Sequence, residues 1–336
     1  MSTSNKRKGA AAVGLGLAVA AAAVGGRLLL KQTAATMRAR EDPDLDPLLE
    51  LPDDVVHHDI PSADGGSLHV IERGSGRPLL LIHGVTLQAG VWSPQFHLLA
   101  DRYRVLAMDV RGHGGSVAGR DGFGRKVAAR DVLTVLEHFD LEDTIIVGHS
   151  MGGMITMEFA GDFPAQLARR VSGLVFMDTA AHEVVPRLVL PAAKLLGHRV
   201  HDRFAKGKPI PQRRFGDDDL SWLMARAAFG RSPSAKAVDQ VRRYLEEVPQ
   251  STSLPSWVDL LDHDAREALK ATRTPSLVLV GSRDVLTPVF AAKRIASFLP
   301  DARFEVLEGA GHQLMQERPR EVARLIDDFA LTAGQS

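Results

Sequence analysis

Ser150 lies in the pentapeptide Gly148-His149-Ser150-Met151-Gly152, between the apolar run TIIVG and a segment, Gly153 then MITMEFA, of helical character. A serine hydroxyl is a weak nucleophile unless a base takes its proton. The pattern predicts a strand, a sharp turn and a helix. That turn lifts Oγ clear of a sheet and sets it beside the positive end of the helix. Glycines two positions either side permit the close chain approach that a strained turn needs.

The base for this chemistry is a histidine, and the histidine needs a carboxylate to fix its tautomer and stabilise its charged form. The chain offers both in the order Ser, Asp, His. Asp284 lies in GSRDVLTP, just after the apolar run 276–281, and His312 lies in EGAGHQLMQERP, just after 303–309. Both follow predicted strands, where open α/β sheets place their sites. Asp178, ending the run 172–178, is the rival acid. The Gly-flanked turn of Asp284 and its place before His312 favour Asp284. Among the other histidines, His149 is expected to point away from the partner of the serine. His83, His113, His57, His58, His69 and His97 have weaker catalytic context or none. Asp109 is expected to brace the turn RGHGG by accepting backbone N–H groups. The oxyanion of a tetrahedral intermediate needs two donors. These are assigned to the backbone N–H groups of Met151 and Val85, the latter in the loop after LLLIH.

These residues need a sheet to position them. VVHHDI (55–60) and SLHVIER (67–73) flank Asp64-Gly65-Gly66 and predict a hairpin. Runs at 79–83, 104–109, 144–148, 172–178, 276–281 and 303–309 read as short apolar strands. Near-continuous apolar strands fit a parallel sheet covered on both faces. In 124–139, Ala128, Val132, Val135, Leu136 and Phe139 fall on one helical stripe. The alternation predicts an α/β sheet with right-handed crossovers. It stops between about 180 and 256, a stretch read as a helical cap. Its apolar residues Leu188, Val189, Leu190, Leu195, Leu196, Trp222, Leu223, Met224 and Phe229 either pack the cap or line a pocket.

Five motifs in order, LLLIHG, MDVRGHGGS, GHSMGG, PSLVLVGSRDVLTP and GAGHQLMQERP, resemble the α/β-hydrolase superfamily over roughly 55–331. GHSMGG is similar to the elbow of monoacylglycerol lipases and many bacterial esterases. The resemblance implies a mostly parallel eight-stranded sheet with helices on both faces and an inserted cap. It also implies hydrolysis of a small-molecule acyl ester through an acyl-enzyme, with no cofactor. Ser150 at the nucleophile position speaks against epoxide hydrolases and haloalkane dehalogenases, which carry Asp there. Haloperoxidase or perhydrolase, thioesterase, lactonase and carbon–carbon hydrolase activities remain open on the same triad, and a binding module without turnover ranks last.

Composition narrows the field further. The 41 basic and 41 acidic residues cancel, which argues against a dedicated nucleic-acid binder. Cysteine is absent, so thiolate nucleophiles and Cys-ligated metals are excluded. No H-E-x-x-H, P-loop or strand-linked G-x-G-x-x-G occurs. Lys6, Arg7 and Lys8 precede an uncharged stretch, 9–26, which Leu28–Leu30 extend. That pattern fits a membrane anchor or a signal peptide, with a cytosolic tail as the remaining alternative. Residues 41–54, acidic and proline-containing, read as an extended linker.

Overall fold

The structure, a computed structural model, describes residues 31–183, 190–206 and 215–333. Eight strands form one sheet: β1 Val56–Pro61, β2 Ser67–Arg73, β3 Arg77–Ile82, β4 Tyr103–Met108, β5 Thr144–His149, β6 Val171–Met177, β7 Ser276–Gly281 and β8 Ala302–Leu307. Their order is β1-β2-β4-β3-β5-β6-β7-β8. β2 runs antiparallel to β1 and β4, and every other pairing is parallel.

The continuous apolar runs are explained by burial on both faces. In β3, Leu79 and Leu81 join one core, while Leu80 and Ile82 join the core on the opposite face. Successive side chains of a strand point to opposite faces, so both registers must be apolar. Helices Ser93–Leu99 and Pro319–Thr332 pack on one side. Arg125–His138, Met151–Asp162 and Val289–Phe298 cover the other. Of the predicted stripe, Ala128, Val132, Val135 and Leu136 are buried there and Phe139 is part-buried against them. β8 departs from the reading of a central strand. It is the sheet edge, its residues are mostly part-exposed, and Val306 is exposed.

The acidic segment 41–54, expected as an extended linker, is instead folded onto the sheet domain. Asp46–Leu49 form a 3₁₀ helix with Pro47 in its first turn. Leu45 and Leu49 enter the core while Glu41, Asp44 and Glu50 stay exposed. Gln240 donates to the Leu49 carbonyl at 3.1 Å, and Lys236 pairs with Glu50 at 2.6 Å. Two leucines supply enough apolar surface to dock a segment whose acids keep their water.

Between β6 and β7 the chain forms helices Leu190–Ala205, Asp219–Arg226, Ala235–Glu247 and Gln250–Leu260. The helical insertion therefore continues past 256 to Leu260. Leu188 and Val189 lie outside the described residues, as does the stretch 9–30. Among the described residues no helix is long and apolar enough to cross a membrane.

Candidate active site

Ser150 joins β5 to the helix Met151–Asp162 at φ 53° and ψ −118°, a conformation that L side chains rarely adopt. Such a residue costs on the order of 1–3 kcal/mol and persists only where its surroundings hold it. The Ser150 N–H donates to the Met177 carbonyl at 3.0 Å, and Thr179 Oγ1 donates to the Ser150 carbonyl at 2.7 Å. A Cβ on Gly152 would stand 2.1 Å from the Ile82 carbonyl oxygen, so only glycine lets the helix start against β3. The loop after β3 presses equally close. A Cβ on Gly84 would stand 3.0 Å from both Ser150 Cβ and His149 Nδ1.

Asp284 and His312 leave the ends of β7 and β8 and meet. His312 Nδ1 donates to Asp284 Oδ2 at 2.8 Å, and both residues are buried. Asp284 Oδ1 accepts from the N–H groups of Leu286 at 2.8 Å and Thr287 at 2.9 Å, and Thr287 Oγ1 donates to Oδ2 at 2.6 Å. Burial pushes the Asp284 carboxyl up. The charge and hydrogen bond of His312, with the bonds from Thr287, outweigh this and hold it well below the usual carboxylate range. With Nδ1 bound to Asp284, Nε2 is the remaining ring nitrogen of His312.

Ser150 and His312 line one cavity of about 470 Å³. No hydrogen bond joins Ser150 Oγ to His312 among the described residues; the two groups share a wall. The cavity is large enough for a drug-sized molecule. Its walls include Val85, Met154, Met224, Trp257, Leu260 and Leu286, and no Asp, Glu, Lys or Arg among the described residues. Among the described residues of the predicted insertion set, Met224 lines the cavity. Trp222 and Phe229 pack in the core, whereas Leu195 and Leu196 are exposed on the outer surface. Val85 lines the cavity and Met151 opens the helix. Among the described residues neither backbone N–H donates a hydrogen bond.

His149 overturns its expected orientation. Its Nε2 lies 2.7 Å from the His312 carbonyl oxygen, and the two rings are 4.9 Å apart. The chain returning at 312 brings an acceptor to the buried side of the turn, which local sequence does not reveal. Burial and the neighbouring His312 lower the His149 pKa to about 3, so the ring is neutral and Nε2 carries the proton. Asp178 is fully buried and accepts from the Gly281 N–H at 2.9 Å. Burial, then the negative charge of Asp284, raise its pKa well above normal. His312 is paired with Asp284 and not with Asp178. Asp109 braces its turn as expected, accepting from Gly115 N–H at 2.9 Å and Ala89 N–H at 2.6 Å. Thr287 was not anticipated. An Asp followed three residues later by Thr is a local side-chain capping pattern that could have flagged it. Among the described residues no cluster of His, Asp or Glu could hold a metal.

Residues 77–319 match the family model described as alpha/beta hydrolase fold. The uncharacterized protein Rv2715 of Mycobacterium tuberculosis is 29% identical over 276 residues, covering 76% of each chain. The non-heme chloroperoxidase CPO-A1 of Kitasatospora aureofaciens is 26% identical over 257 residues, covering 74% of this chain and 90% of its own. A thermophilic esterase from Thermogutta terrifontis superposes with a TM-score of 0.69 at 24% identity, over 82% of this chain and 98% of that one. With its sheet order, strained serine turn and matched motifs, the chain belongs to the alpha/beta hydrolase fold family and is a hydrolase.

Proposed function

We propose that the protein is a serine carboxylester hydrolase for hydrophobic, lipid-like esters, with Ser150, His312 and Asp284 as its triad. The carrying observation is that His312, hydrogen-bonded to Asp284, lines the same uncharged cavity as Ser150. His312 Nε2 takes the Ser150 proton as Oγ bonds to the acyl carbon, and the carbonyl π electrons move to oxygen. The N–H groups of Val85 and Met151 receive that oxyanion; each such donor is worth about 3–4 kcal/mol in the transition state. His312 then gives the proton to the leaving alcohol. Water repeats the cycle and frees the acid. Asp284 stays ionised throughout and stabilises the imidazolium.

Hydrolysis of p-nitrophenyl acyl esters of graded chain length tests this, alongside covalent labelling by a fluorophosphonate. Ser150→Ala and His312→Ala should each remove most turnover. Wild-type turnover no better than that of Ser150→Ala would refute the proposal, and an unlabelled Ser150 would favour a binding module. Peroxide-dependent halogenation in acetate exceeding ester hydrolysis would favour a perhydrolase, the reading suggested by the name of the Kitasatospora relative.

The proposal includes a membrane location, carried by residues 9–30, from their basic flank and the uncharged stretch 9–26. Fractionation of the full chain against one lacking residues 1–30 tests it. Equal recovery of both in the soluble fraction would sink it.

A further inference from the structure

The loop that carries His312 is held by Glu317, which is not among the residues lining the cavity. Glu317 Oε1 accepts from the Gly311 N–H at 2.8 Å and the Gln313 N–H at 3.3 Å, one residue either side of His312. Its other oxygen, Oε2, accepts from the Gly230 N–H at 2.7 Å. Gly230 belongs to the helical insertion. The segment 228–231 lies directly along the histidine loop. His312 N–H donates to the Ala228 carbonyl at 2.7 Å, and Arg231 N–H donates to the Gly309 carbonyl at 3.0 Å. Contact is so close that a Cβ on Gly230 would stand 2.1 Å from the Gly309 carbonyl oxygen.

The same segment is tied to the helix that walls the cavity. Arg226 ends the helix Asp219–Arg226 and donates to the carbonyls of Phe229 and Arg231, each at 3.1 Å. Two residues before it, Met224 faces the cavity. Only a carboxylate has two acceptor oxygens able to take N–H groups from two chain segments at once. An amide in its place presents donors to donors.

We propose that Glu317 is a positioning residue. It staples the His312 loop to segment 228–231, so that one contact seats both the imidazole and the cavity-walling helix. This rests on the reading of His312 as the base. A small displacement of a base costs turnover without loss of the site itself, and about tenfold or more is expected here.

The test compares wild type, His312→Ala and Glu317→Gln in the full chain. Three quantities are read: kcat and KM for p-nitrophenyl butyrate, the rate of fluorophosphonate labelling, and the fraction of molecules finally labelled. Wild type labelled and His312→Ala inert establishes the base. Given that, Glu317→Gln should label to the full wild-type fraction but slowly, with kcat down about tenfold or more and KM within about threefold. Unchanged kcat would overturn the proposal. So would a reduced labelled fraction with normal turnover per labelled site, because Glu317 would then serve folding alone. Should Glu317→Gln not fold, Glu317→Asp takes its place. One methylene shorter and still charged, it should show the same slow, complete labelling. Failure of both variants to fold would equally overturn the role. If wild type itself neither labels nor turns over, the hydrolase reading fails first, whatever Glu317 does.

Discussion

His149 Nε2 donates to the carbonyl oxygen of His312 across 2.7 Å, joining the residue before Ser150 to the backbone of His312. The bond crosses from β5 to the loop after β8, past two intervening strands. It ties the position of the imidazole to the serine turn itself. His149 has no exposure to solvent, and its ring edge faces Trp92 at 6.4 Å.

Replacing His149 by Phe keeps an aromatic ring and removes the donor. The buried His312 carbonyl then loses its partner, which costs about 1–3 kcal/mol. Urea unfolding should report that loss. Ester turnover should fall about tenfold at near-constant KM as the His312 backbone drifts. Full activity in His149→Phe would show that the bond serves no positioning role.

The two buried acids separate by substitution. Asp284→Asn should cut kcat by orders of magnitude, because the amide stabilises neither the His312 cation nor its working tautomer. Burial and then the nearby Asp284 charge favour the neutral form of Asp178 and raise its pKa well above the usual carboxylate range. Its folded pKa lies above the unfolded value, so it removes stability as pH rises past the ordinary carboxylate range. Asp178→Asn should therefore keep kcat within about twofold and raise the thermal midpoint at pH 8. A large kcat loss in Asp178→Asn would move the acid role to β6.

Acid sensitivity should trace to buried imidazoles. Burial and His312 lower His149 to about 3, and burial and the neighbouring His83 lower His113 to about 4. Unfolded, each takes a proton near pH 6.5. The unfolded state thus binds more protons than the folded one below that pH, and stability falls as pH falls. His149 alone contributes about 1.4 kcal/mol per pH unit across this window. His149→Phe should flatten the stability slope between pH 6 and pH 4 by about that amount, read from urea midpoints at several pH values. An identical slope in wild type and variant would contradict a neutral buried His149.

Much of the architecture was legible because the cause is local. Both-face burial demands apolar residues through the middle of β3, β5 and β7, and the sequence carries such runs at Leu79–Ile82, Ile145–Val147 and Leu277–Val280. The placement of Ser150, Asp284 and His312 just beyond β5, β7 and β8 was legible because each follows a predicted strand. What escaped depends on distant chain. The docking of Leu45 and Leu49 needs a groove built partly from residues near 240. The role of His149 needs the return of the chain at 312. The edge position of β8 follows from sheet order, which no run of seven residues encodes.

The serine turn carries one last consequence. Ser150 holds a backbone geometry that glycine accepts at no steric cost. Ser150→Gly should thus give a protein inert toward esters yet with a higher melting temperature, provided the Met177 and Thr179 bonds to its backbone persist. Ser150 is one of six described non-glycine residues at positive φ, and under the proposed function its strain is stored at the nucleophile.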